Sequence, residues 1–146
     1  MMDFEKIPVG NILPQLPPFL FVDRLLHYDE QVTRTAFTVP EEGLFVEDGH
    51  FRTAGLVEHM AQSSAARIGY ICRYILHVPV HIGYIGSVRK LKVYRNPAVG
   101  DRLETSVLFR EDVFGITMTD IEVRYGDEVI ATASIKTALS DKEVEL

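Results

Sequence analysis

The 146-residue chain predicts an α+β fold in which a long antiparallel β-sheet wraps around one central α-helix. Three observations predict it. From about Ala54 to Leu76, apolar or small residues recur at helical spacing, at Val57, Ala61, Ser64, Ala65, Ile68 and Cys72. Everything after that stretch reads as strand after strand, with turn signals between. Finally, one helix of this length cannot cover both faces of so much sheet, so a curved sheet around it is the economical arrangement.

The elements follow in order. MMDFEKIPVGNILPQLPP reads as one or two short helical turns, broken by Pro14, Pro17 and Pro18. FLFVDRLLHYD is apolar and strand-like, and Gln31–Val39 is rich in β-branched residues. Together they predict a hairpin turning near Asp29 and Glu30. EEGLFVEDG reads as a connecting loop with some extended character. Thr53 is the expected N-cap of the helix, and His77-Val78-Pro79 ends it. Small residues on its buried face let another layer approach the backbone closely. His81–Arg95 and Arg102–Glu111 are β-rich and separated by NPAVGD, a Pro/Gly turn. Val113–Tyr125 and Glu128–Leu139 complete the set, joined tightly at Gly126-Asp127. Long strands at a sheet edge invite association, so edge-to-edge dimerisation is expected.

Composition narrows the class. The chain is 47% hydrophobic and 25% charged, as an ordinary globular protein is, and its length suits a single domain spanning residues 1–146. A formal net charge of −6 argues against nucleic acid as a general partner. Cys72 is the only cysteine and has no disulfide partner, which fits a reducing, cytoplasmic setting. The N-terminus lacks the pattern of a secretory signal, and no window nears the ~18 apolar residues of a membrane span.

The chemistry concentrates in residues 48–62, DGHFRTAGLVEHMAQ. His50 stands just before the helix, and Glu58 lies on its first turns. His27, His77 and His81 show no metal-ligand spacing, so no metal site is expected. There is no nucleophile elbow, no Gly-rich phosphate loop and no dinucleotide fingerprint, so a cofactor-free reaction is expected.

Four stretches carry a family resemblance. PPFLFVDRLL is similar to the PFLLVDRV-like segment of the β-hydroxyacyl-ACP dehydratases of the FabZ type. GHF at Gly49–Phe51 resembles that family's GHFP, and LVEHMAQ at Leu56–Gln62 resembles its VEAMAQ. YIGSVRKLKVYRNPAVGD resembles its long central strand and the turn after it. The four occur in the family's order from about residue 12 to 139. The connection from histidine to glutamate is shorter here than in the family, and Arg52 stands in place of the proline of GHFP.

The resemblance implies a hotdog fold and the elimination of water from a 3-hydroxyacyl thioester carried by an acyl carrier protein. That reaction needs two proton transfers at adjacent carbons. It implies His50 as the base at Cα, since a neutral imidazole is available near neutral pH. It implies Glu58 as the acid that protonates the departing hydroxyl; a carboxyl group can do so only while protonated, a form that burial favours. Amides at the helix N-terminus would hold the thioester oxygen, with Gly55 permitting close approach. Gln62, at i+4 from Glu58, could hydrogen-bond and orient it, or be satisfied by nearby backbone. His59, about 100° around the helix, is expected to be a packing or interface residue. In the family the histidine of one subunit faces the glutamate of the other, which implies composite sites in a homodimer.

Arg89, Lys90, Lys92 and Arg95 place four positive charges in seven residues. They are either a solubilised strand or a basic rim for the acidic carrier and its 4′-phosphopantetheine arm. Simple alternation puts Arg89 and Arg95 on one face and Lys90 and Lys92 on the other. Two further readings stay open. A hotdog acyl-thioesterase would need Glu58 but not His50, and a non-catalytic acyl-carrier-binding subunit would need neither.

Overall fold

The computed structural model describes residues 3–144, including every side chain except those of Ile82 and residues 140–144. Two 3₁₀ turns, Phe4–Lys6 and Val9–Asn11, precede the first strands, β1 (Arg24–Tyr28) and β2 (Val32–Thr38). Asp29 makes the turn between them, its Oδ1 accepting the backbone N–H groups of Gln31 at 2.8 Å and Val32 at 2.9 Å. A small hairpin follows, β3 (Val46–Glu47) and β4 (His50–Phe51), then α1 (Thr53–Tyr70). Four long strands complete the chain: β5 (Val80–Val93), β6 (Arg102–Val113), β7 (Ile116–Tyr125) and β8 (Glu128–Val144).

The main sheet has six strands in the order β1-β2-β6-β7-β8-β5, with every neighbouring pair antiparallel. Alternation along the inner strands decides which face meets α1. In β6, Leu103, Thr105 and Val107 are buried while Arg102, Glu104 and Leu108 are exposed. Ile121 and Val123 of β7 and Ala131, Ala133 and Ile135 of β8 extend the same buried face. Against it pack Leu56 and Met60 of α1, with Phe21, Phe37 and Phe51. The expected architecture, a long antiparallel sheet wrapped around one helix, is the observed one.

Several boundaries differ from expectation for identifiable reasons. The first strand begins at Arg24 and not at Phe19, because α1 side chains claim the backbone of residues 19–21. Gln62 Oε1 accepts the Phe21 N–H at 2.7 Å, and its Nε2 donates to the Phe19 carbonyl at 2.8 Å. Thr53 is the first residue of α1, not its cap; Arg52 holds the cap position in extended conformation, and the Thr53 hydroxyl accepts from Asn96. The helix carries on from Tyr70 as a widened π turn, Ile71–Leu76, ended by His77 at φ 54°. Val113 closes β6 instead of opening β7, since Phe114 and Gly115 make the turn with φ of 53° and 79°.

The N-terminal segment crosses α1 at Gly69. A Cβ there would lie 2.0 Å from the Ile12 carbonyl oxygen, so only glycine admits this crossing. Ile12, Leu13 and Val22 thereby reach Ala66 and Tyr70 in a second apolar cluster. None of the described helices is long and apolar enough to cross a membrane.

Candidate active site

The stretch expected to be a loop contains a tight hairpin. Glu47 pairs with His50, leaving Asp48 and Gly49 as the two turn residues, with φ of 53° and 73°. Two positive φ values in succession make a type I′ turn, for which Asp-Gly is a favoured sequence. The Asp-Gly pair was the signal for it. The turn points His50 away from the core, and its imidazole is exposed. Its Nδ1 lies 2.9 Å from the Asp48 carbonyl oxygen. That bond favours the Nδ1–H tautomer and leaves Nε2 as the lone-pair nitrogen.

A second turn, far away in sequence, supports the hairpin. The Phe51 N–H donates to the Pro97 carbonyl at 2.8 Å, the Val99 N–H donates to Gly49 at 2.9 Å, and His50 bridges to Ala98. Asn96 Nδ2 donates to the Phe51 carbonyl at 2.9 Å and to the Thr53 hydroxyl at 3.3 Å. Asn96 therefore pins the entry to α1, a role that its place in a Pro/Gly turn does not reveal. The result is an open pocket of about 460 Å³, lined by His50, Thr53, Ala54 and Asn96 together with Glu47 and Arg52, which form an ion pair.

The pocket lies over the N-terminus of α1. Intrahelical bonding begins with the Leu56 N–H to Arg52 at 3.1 Å, so the amides of Thr53, Ala54 and Gly55 precede that ladder. These amides and the helix dipole favour a developing negative charge. The expectation for Gly55 needs correction on one point. A Cβ at this residue would lie 2.5 Å from the Phe51 ring and 2.8 Å from Phe45, so the room its missing side chain leaves is filled by the chain's own aromatics.

Glu58 is half-buried one turn beyond Ala54 on the same helix face. Gln62 Nε2 donates to its Oε1 at 3.1 Å. Both alternatives weighed for Gln62 are thus present together: it is held by backbone at Phe19 and Phe21, and it reaches Glu58. Among the described residues no hydrogen bond or ion pair joins His50 to Glu58 within one chain.

His59 is a different kind of residue. It is fully buried, with Nδ1 2.6 Å from the Phe21 carbonyl and Nε2 2.6 Å from the Thr105 hydroxyl. Burial pushes its pKa down to about 4, so the ring is neutral, donating from Nδ1 and accepting at Nε2. It is a packing residue of the core.

The basic run is rearranged by a bulge. Arg89 faces Ser134 and Lys92 faces Thr132, so one extra residue of β5 is accommodated between them, and Lys90 sits there at φ 54°. Contrary to simple alternation, Arg89 and Lys92 therefore share the outer face of the sheet, and Lys90 joins them beside Arg110 and Lys136. Asp120 sits among them, its carboxylate held below the usual range by the Ser134 hydroxyl and then by Arg110. Arg95 does not belong to this group. It lies beyond β5, forms a two-pronged pair with Glu128 at 2.9 and 3.0 Å, and stacks over Tyr125.

Comparison with known proteins places the chain in a family. Residues 7–145 match the ApeP-like family model, described as ApeP dehydratase. The chain belongs to that family. It is 30% identical over 150 aligned positions to the FabZ 3-hydroxyacyl-[acyl-carrier-protein] dehydratase of Desulforamulus reducens, covering 97% of this chain and 100% of the relative. It is 29% identical over 133 positions to an uncharacterized thioester dehydrase of Halalkalibacterium halodurans, covering 86% and 82% of the two chains. A chain from the ApeI:P dehydratase heterocomplex of Xenorhabdus doucetiae shares the fold with a TM-score of 0.84, at 18% identity over 93% of each chain. The ApeP-like chain is accordingly a hotdog protein of the hydroxyacyl dehydratase family.

Proposed function

We propose that the protein removes water from a (3R)-hydroxyacyl thioester on an acyl carrier protein, giving the trans-2-enoyl thioester. The observation that carries this reading is the hairpin that sets His50 in a pocket over the N-terminus of the helix bearing Glu58. Family membership supports the reaction class, and the FabZ relatives support a carrier-bound substrate.

The residues divide the work as follows. The thioester oxygen rests on amides of the first helical turn, which stabilise the enolate-like charge. Nε2 of His50 takes the Cα proton, with Nδ1 steadied by the Asp48 carbonyl. Glu58, oriented by Gln62, donates to the leaving hydroxyl, which departs as water. The proton returns from imidazolium to glutamate through solvent after product leaves.

His50 of one subunit serves Glu58 of another in this reading. Support comes from the absence of a His50–Glu58 bond within the described chain and from the free edge of β5, which is fourteen residues long. A two-fold pairing at that edge gives two composite sites. The carrier docks on the outer-face cations Arg89, Lys90 and Lys92. Beyond them β5 leads to Asn96, at the rim of the His50 pocket.

The test is an assay of 3-hydroxyacyl and trans-2-enoyl thioesters on carrier protein, with free thiol measured in parallel, for wild type, His50→Ala and Glu58→Gln. Interconversion in wild type that is lost in both variants supports the proposal. Thiol release that depends on Glu58 alone makes the protein a thioesterase. Binding without turnover makes it a carrier-binding subunit. A Lys90→Glu/Lys92→Glu variant is expected to raise KM for carrier-linked substrate, with little change for the pantetheine-linked one.

A further inference from the structure

The backbone of Phe21 joins two side chains of α1. Phe21 lies before β1, outside the sheet, so its N–H and C=O find their partners in side chains. The carbonyl oxygen accepts from His59 Nδ1 at 2.6 Å, and the N–H donates to Gln62 Oε1 at 2.7 Å. Behind His59, its Nε2 accepts from the Thr105 hydroxyl of β6 at 2.6 Å. Beyond Gln62, its Nε2 donates to the Phe19 carbonyl at 2.8 Å and to Glu58 Oε1 at 3.1 Å. One chain of hydrogen bonds thus runs from the sheet to the carboxyl group, through Thr105, His59, Phe21, Gln62 and Glu58. Thr105, His59 and Gln62 are all buried, so the chain is anchored in the packed interior.

Each direction in the chain is set by a group that has no choice. A backbone carbonyl only accepts, so His59 carries its hydrogen at Nδ1 and offers Nε2 to Thr105. A backbone N–H only donates, so Gln62 turns Oε1 to Phe21 and its two Nε2 hydrogens to Phe19 and Glu58. Glu58 Oε1 is therefore an acceptor. In the protonated carboxyl group it is the carbonyl oxygen, which leaves the transferable proton on Oε2. His59 stands where the VEAMAQ motif has alanine, so this anchor is a feature of the present chain.

From this geometry we infer that His59 is a positioning residue for Glu58, acting through the Phe21 peptide and Gln62 to present the acid's proton on Oε2. The inference rests on the proposed reading of Glu58 as the acid and adds the residue that aims it. Without the His59 donor, the Phe21 peptide is held by one side chain in place of two and is free to turn. The Gln62 amide then loses the fixed donor that orients it. A flipped amide sets Gln62 Oε1 against Glu58 Oε1, two acceptors face to face.

The experiment compares wild type, His59→Leu and His59→Asn. Leucine and asparagine are close in size, and both lose the bond from Thr105, so both variants are destabilised. Only asparagine keeps an N–H near the position of Nδ1. Turnover of 3-hydroxyacyl thioester is measured per folded molecule, and solvent exchange of the Gln62 side-chain amide is followed by NMR. His59→Leu is expected to lower kcat about fivefold with KM within about twofold, the split of a group that acts on the chemical step. Its Gln62 Nε2 hydrogens should exchange faster than in wild type, while His59→Asn restores both readouts toward wild type. Equal kcat and equal Gln62 exchange in the two variants would overturn the inference and leave His59 as packing alone. Should wild type turn over no hydroxyacyl thioester, the reading of Glu58 as the acid falls, while the Gln62 exchange still decides whether His59 orients that amide. Should His59→Leu not fold, His59→Phe takes its place, keeping a ring against Phe37 without the donor.

Discussion

Two histidines nine residues apart show how one stretch of sequence builds both a candidate site and a core. His50 hangs from a type I′ turn into an open pocket with a single hydrogen bond at Nδ1. His59 is sealed between α1 and the sheet with both ring nitrogens engaged, and burial keeps it neutral. A ring sealed from solvent, with both nitrogens bonded to fixed groups of the core, holds structure. A ring with a lone pair facing a pocket can shuttle a proton. Position relative to the sheet, more than residue type, separates the two roles.

Substituting each histidine sharpens that contrast most. His50→Ala is expected to lower dehydratase turnover by about 10²–10⁴-fold, or roughly 3–5 kcal/mol of barrier. Its unfolding free energy is expected to stay within about 0.5 kcal/mol of wild type, as an exposed substitution does. His59→Leu should do the opposite. It leaves the Phe21 carbonyl and the Thr105 hydroxyl buried without partners, costing about 2–4 kcal/mol in a urea titration. Activity per folded molecule should fall far less than in His50→Ala.

Acid titration tests the burial of His59. The folded-state pKa of His59, about 4, lies below the ordinary 6.5, so in this interval the unfolded chain binds the additional proton. The stability from neutral His59 is therefore complete above pH 6.5 and declines as pH falls toward 4, by up to about 3 kcal/mol. Urea midpoints measured across that window should fall in wild type, and this histidine's share of the fall should vanish in His59→Leu.

Two smaller effects probe the hairpin and its surroundings. Gly49→Ala meets no atom within 4 Å but keeps a φ of 73°, so it should cost about 1 kcal/mol through backbone strain alone. Because that turn aims His50, turnover should fall by more than the stability loss implies. Arg95→Ala removes a half-exposed pair with Glu128 and should cost less than about 1 kcal/mol in thermal unfolding.

The sheet-around-helix architecture could be read from the sequence because its signals are local and periodic. The helical recurrence from Val57 to Cys72, the alternation in β6 to β8 and the turn at Gly126-Asp127 all announce themselves within a few residues. Features that depend on distant partners could not be read. The strand expected at Phe19 starts at Arg24 because Gln62, forty-one residues beyond Phe21, takes that backbone. The cations Arg89 and Lys92 share a face because a bulge displaces Lys90, which alternation alone does not predict. His50 and Glu58 stood out by resemblance, yet the hairpin that positions His50 rests on Asn96 and the Pro97 carbonyl, more than forty residues away. The room at Gly55, expected for a ligand, belongs to Phe51.

The pairing of His50 with Glu58 across two subunits is tested most directly by complementation. His50→Ala and Glu58→Gln chains, each inactive alone, would be unfolded together, refolded as a mixture and assayed for dehydration. Random pairing makes about half the dimers mixed, each with one intact composite site, so about a quarter of wild-type activity should return. A mixture as inactive as its two parents, in dimers shown by mass spectrometry to have exchanged subunits, would contradict the composite site.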